Sequence, residues 1–137
     1  MRAVFADAGY WVAIANSRDR LHARAAALAE RLGEYRIVTS EMVLVEVLNG
    51  FAECGSFLRT KAAELVLAAV ADPDIESVSQ TPELFRDALA LYQHRPDKSW
   101  SLTDCASFLI MDRQQIAEAL THDRHFEQRG YRALLRD

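Results

Sequence analysis

Residues 2–11 read RAVFADAGYW. The apolar run from Arg2 to Ala6 stops at an acid, Asp7, and is too short to make a helix of its own, so it predicts a buried strand. Tyr10 to Ala15 then reads as a short helix, with Asp7 or Gly9 near its start. A buried strand leading straight into a helix is the opening of a β/α alternation.

The rest of the chain continues it. Leu21, Ala25, Leu28 and Leu32 fall on one side of a helix over 21–32, with Gly33 as its stop. Residues 36–39 (RIVT) predict a second strand, and Ser40 is placed to cap a helix that Gly55 breaks. Residues 57–70 are rich in helix formers. After a turn over 71–74, a third strand is expected over 75–78. Thr81-Pro82 starts a helix running to His94. A polar loop over 95–100 precedes a helix over 102–113. A fourth strand follows over 117–120, then a helical turn over 124–128 and a last short strand over 132–135. The expectation is an α/β fold: a mainly parallel sheet of four to five short strands, covered on both faces.

The 137 residues carry 20 Asp and Glu against 16 Lys and Arg, a net charge of −4, and half of them are hydrophobic. That supports one domain over residues 1–137 with a substantial core. No apolar run approaches the ~20 residues of a membrane span, and the first residues lack the pattern of a secretion signal. Cys54 and Cys105 are far apart with no CxxC partner, which fits a reducing, cytoplasmic setting. Taken alone, the acidity weighs against a nucleic-acid partner.

Four acids fall near strand ends or helix starts. Asp7 follows the first strand and Asp123 the fourth, while Glu46 and Asp104 lie near the starts of helices. In open α/β sheets, ligands bind outside the carboxyl ends of the strands. Each acid also has a plainer use. Asp7 can cap the next helix, Asp104 can close a capping box with Ser101, and Asp123 can pair with Arg124. Glu46 sits in MVLVEVL among apolar residues, and a buried carboxylate needs a cation or a raised pKa. Carboxylates gathered in one crevice repel one another, and an all-oxygen set selects hard divalent cations.

Four ordered segments carry a resemblance: VFADAGYW (4–11), TSEMVLVE (39–46), SLTDCASFLIM (101–111) and ALTHDRHFEQRGY (119–131). In this order and spacing the chain resembles the PIN-domain ribonucleases, in particular the VapC-type toxins, over essentially its whole length. The resemblance implies a three-layer α/β/α sandwich. It implies an acidic cluster of Asp7, Glu46, Asp104 and Asp123 holding one or two Mg²⁺, with Mn²⁺ able to substitute. On that resemblance Asp7, Asp104 and Asp123 are expected to hold the ion, and Glu46 to hold it or a second ion through water. A supporting hydroxyl maps to Ser40 or Thr39, and to Thr103. The implied activity is endoribonuclease cleavage leaving 5′-phosphate and 3′-hydroxyl ends. The implied partners are RNA, a cognate antitoxin and a second copy in a homodimer.

Around this set, Lys98, Arg124 and His125 are candidate RNA contacts, and Trp100 is a candidate base-stacking ring or a cover for the sheet edge. His122 and His125 also read as solvated loop residues. Arg95, Arg129, Arg132 and Arg136 are candidates for a phosphate-tracking rim. Competing readings are a housekeeping PIN nuclease without an antitoxin and a receiver-like binding module. The latter wants a second acid after the first strand, where Ala8 stands, and a late Lys, which the chain lacks beyond Lys98. With the four site acids set aside, 16 acids face 16 bases, so the net charge of −4 equals the proposed site.

Overall fold

The computed structural model describes residues 2–136. The five strands are β1 (Arg2–Ala6), β2 (Tyr35–Ser40), β3 (Ile75–Val78), β4 (Glu118–Leu120) and β5 (Arg132–Ala133). They form one sheet in the order β3-β2-β1-β4-β5, and every pairing is parallel. The helices are α1 (Ala8–Ala15), α2 (His22–Arg31), α3 (Glu41–Phe51), α4 (Ser56–Ala71), α5 (Pro82–His94), α6 (Leu102–Arg113) and α7 (Arg124–Gln128).

The expected elements are present, with ends shifted by a residue or two. The last strand is shorter than expected, covering only Arg132–Ala133 of the 132–135 run. Several boundaries follow from local chemistry. Ser40 Oγ accepts the Val43 amide and Thr81 Oγ1 the Leu84 amide, starting α3 and α5, and Pro82 opens α5 where no amide donor is needed. Gly55 takes φ +88°, a left-handed conformation that breaks the chain between α3 and α4.

Parallel strands need crossovers, and crossovers are right-handed. The chain moves from β1 to β2 to β3 in one direction, which lays α1–α4 on one face. It then returns to β4 and β5 on the far side of β1, which lays α5–α7 on the other. The packing agrees: α1 meets α2, α3 and α4, while α5 packs along α6. The result is the three-layer α/β/α sandwich. Its core runs through Val4, Phe5, Val38, Val43, Val47, Phe108, Met111, Leu120 and Phe126.

The winding reverses between β1 and β4. Such a reversal opens a crevice at the carboxyl edge, where the two flanking loops diverge. The register pairs Phe5 with Ala119 and Ala6 with Leu120, so the strands end level. The next residues, Asp7 and Thr121, therefore emerge side by side, and the Asp7 amide still donates to the Leu120 carbonyl at 3.2 Å.

Candidate active site

Asp7 occupies the N-cap position of α1, yet its side chain makes no capping bond. The carboxylate is buried and instead accepts a hydrogen bond from Thr121 Oγ1 at 2.8 Å on Oδ2. Thr39, at the end of β2, ties down the neighbouring backbone. Its Oγ1 donates to the Ala6 carbonyl at 2.9 Å and accepts from Trp11 Nε1 at 3.2 Å.

Asp104 arrives at the N-terminus of α6. The capping box expected with Ser101 is formed in both directions at 3.0 Å. Only Oδ2 serves the cap, so the structural use and a site role are compatible. The side chain is also buried. Asp123 caps α7 through Oδ1, which accepts the His125 amide at 2.9 Å; no ion pair with Arg124 forms among the described residues. Asp104, Asp123 and His125 form a tight group in which one ligand atom from each lies within 4.8 Å of the others.

Glu46 differs from expectation. The buried side of α3 is Val43, Leu44, Val47 and Phe51, and Glu46 falls off that stripe onto the exposed side. It is therefore not an apolar-locked carboxylate. It shares a groove with Thr103, where α3 meets α6, and its charge reaches Asp7.

The electrostatics converge on Asp7. Burial, reinforced by the charges of Asp104 and Glu46, raises its pKa from 3.8 to about 7 against the pull of the Thr121 hydrogen bond. Among the described residues, no Lys or Arg forms a salt bridge with Asp7, Glu46, Asp104 or Asp123. Converging acids without a cation are costly, and oxygen donors from three separate elements suit a hard divalent ion. The residues present fit such an ion.

A family model described as PIN domain matches residues 4–130, nearly the whole chain. The chain belongs to the PIN-domain family. Within it, the 23S rRNA-specific endonuclease VapC20 of Mycobacterium tuberculosis is 28% identical over 134 residues, covering 93% of this chain and 95% of that protein. The same relative is found in two strains of that organism. The crystal structure of M. tuberculosis VapC20, described as a sarcin-ricin loop cleaving toxin, matches with a TM-score of 0.79 at 23% identity. It covers 93% of this chain and 95% of that one, and it shows the same fold.

On this PIN scaffold the other candidate residues separate. Ser40 spends its hydroxyl on the α3 cap, and Thr39 spends its own on the β1 backbone and Trp11. Thr103 remains on the groove wall beside Glu46. Among the described residues, the hydroxyl that donates to one of the four site acids is that of Thr121, which the sequence motifs do not single out. Its signal is Thr-x-Asp directly after a strand, where a short side chain reaches both the next amides and the adjacent strand end.

His125 is not a solvated loop residue. Its side chain is 22% exposed, and Nδ1 lies 2.9 Å from Asp104 Oδ2 and 3.2 Å from Asp123 Oδ1. Trp100 does not offer a free ring. It is 5% exposed, stands edge-on to Phe108, donates to Gln128 Oε1, and has the guanidiniums of Arg95 and Arg129 over it. It covers the core rather than a base.

The expected arginine rim is also mostly committed elsewhere. Arg95 pairs with Asp97, Arg129 with Asp112, Arg132 with Glu118, and Arg136 with Glu127 and the His122 carbonyl. Asp97 is local to Arg95, whereas Asp112 on α6, Glu118 on β4 and Glu127 on α7 reach the other three through the fold. Lys98 and Arg124 hold no salt bridge among the described residues.

Proposed function

We propose that the protein is a metal-dependent endoribonuclease of the VapC type, the toxin of a toxin–antitoxin pair. The observation that carries this reading is the close grouping of Asp104 and Asp123 at the β1–β4 reversal, with Asp7 near enough to feel the Asp104 charge and no Lys or Arg among the described residues paired to any of the three. Relatedness to an rRNA-cleaving endonuclease supports it.

In this reading Asp7, Asp104 and Asp123 hold Mg²⁺ or Mn²⁺, and Glu46 approaches from the exposed side of α3, directly or through water. A bound divalent ion supplies an activated water and offsets the charge developing on the phosphodiester. The protein's own residues hold the carboxylates apart and in place. Thr121 fixes Asp7, the capping box fixes Asp104, and the turn at Asp123 fixes the fourth strand's exit. Thr103 lines the approach. Lys98 and Arg124 draw in RNA phosphates.

Exposed apolar side chains give partners a surface. Leu48, Phe57, Leu67 and Val70 project from α3 and α4, and Phe85, Leu89 and Tyr92 form a stripe along α5. A cognate antitoxin and a second copy of the chain are the occupants this reading implies. Incubation of the purified protein with total RNA, and with 23S rRNA as the relative's named substrate, tests it. Cleavage that requires a divalent metal supports the reading, and no cleavage with any metal removes it.

A further inference from the structure

The His125 side chain sits between two carboxylates that come from different elements. Asp104 belongs to α6 and Asp123 to the turn before α7. Nδ1 is 2.9 Å from Asp104 Oδ2 and 3.2 Å from Asp123 Oδ1. A ring nitrogen facing two carboxylate oxygens carries its proton, because a lone pair there would meet two negative oxygens. His125 Nδ1–H thus donates to Asp104 Oδ2 and lies within ion-pair reach of Asp123 Oδ1. The backbone puts it there in two ways: its own amide donates to Asp123 Oδ1 at 2.9 Å, and the next residue, Phe126, is fully buried edge-on against Phe108 of α6.

The bonds divide the oxygens of each acid. Asp104 Oδ2 takes the Ser101 amide and the His125 ring; Asp123 Oδ1 takes the His125 amide and faces the ring nitrogen at 3.2 Å. Asp104 Oδ1 and Asp123 Oδ2 accept no hydrogen bond from the described residues. Hydrogen bonds to the non-ligating side of a carboxylate orient it for a metal.

We propose that His125 is a positioning residue of the metal site: its Nδ1–H clamps Asp104 and Asp123 at one separation, so that their free oxygens are preset for a divalent cation. The proposal rests on the proposed binding of a metal by these acids.

Calorimetric titration of the metal-free protein with Mn²⁺ tests it. The variants are His125→Ala, His125→Gln, His125→Asn and Asp104→Asn, each checked for folding by thermal unfolding. The Asn amide nitrogen falls near the place of Nδ1, whereas the Gln amide reaches past it. His125→Ala and His125→Gln are expected to weaken Mn²⁺ binding about 10–100-fold, while His125→Asn recovers most of the affinity. Asp104→Asn should lose binding most. Wild-type affinity in His125→Ala with loss in Asp104→Asn would overturn the clamp and leave the metal site standing. Equal losses in the Asn and Ala variants would overturn it too, because the donor would not be what matters. A wild-type protein that binds no Mn²⁺ would remove the site and the clamp together.

Discussion

Thr121 and Asp7, 114 positions apart in sequence, share a 2.8 Å hydrogen bond from the threonine hydroxyl to Asp7 Oδ2. The same hydroxyl oxygen accepts the Asp123 amide at 3.0 Å. One buried side chain therefore couples the acid that ends β1 to the acid that follows β4. Replacing it with valine leaves both the carboxylate and the amide short of a partner. Thr121→Val should cost about 1–3 kcal/mol in chemical denaturation and slow metal-dependent RNA cleavage, while Thr121→Ser keeps both near wild type. A Thr121→Val protein of unchanged stability and activity would show that the bond is idle.

Burial holds the Asp7 pKa at about 7 in the folded, metal-free protein, against 3.8 for a free carboxyl. Between those values the folded state binds more protons than the unfolded state, so stability falls as pH rises through the window. Asp7→Asn cannot ionise and escapes this loss. In metal-free buffer its melting temperature should match wild type near pH 4, exceed it increasingly toward pH 7, and hold a constant lead above that. A lead that shrinks with rising pH would contradict the assignment. A gain in stability on removing a site acid is the mark of a site strained for function.

Trp100 belongs to the core. Trp100→Ala should destabilise the fold by about 3–5 kcal/mol, and Trp100→Phe by less, with the Phe variant still binding RNA as tightly as wild type. Loss of RNA affinity in a fully folded Trp100→Phe protein would restore a base-stacking role.

Lys98 and Arg124 are the cations near the site that no described acid neutralises by a salt bridge. Lys98→Ala and Arg124→Ala should each weaken RNA binding and flatten its dependence on log salt by about 0.7 for each phosphate that the variant no longer neutralises. Arg132→Ala, which removes a partner of Glu118, should leave that slope unchanged. Equal slopes in all three variants would mean that RNA takes another path.

The fold was legible because its signals are local. Short apolar strands, Ser and Thr caps, Pro82 and Gly55 each act within a few residues, and the alternation they produce leaves few topologies. Asp7, Asp104 and Asp123 were legible by position, since strand ends and helix starts meet at one sheet edge. Glu46 was misleading because its apolar neighbours in sequence occupy both sides of α3 and so concealed which side it faces. Thr121 and His125 were hidden for a different reason. Their importance lies in bonds to Asp7 and Asp104, made only when β1, β4 and α6 are brought together. The arginines were obscured in the same way, because their acidic partners come largely from tertiary contacts.

RNA cleavage by the wild type, Asp7→Asn and Asp104→Asn, with Mg²⁺, Mn²⁺ or chelator and with the cut ends mapped, tests the central claim most directly. The wild type should cleave only with metal, leaving 5′-phosphate ends, and each folded variant should be slower by at least about 100-fold. Cleavage that persists in chelator, or undiminished cleavage by the Asp7→Asn protein, would contradict it.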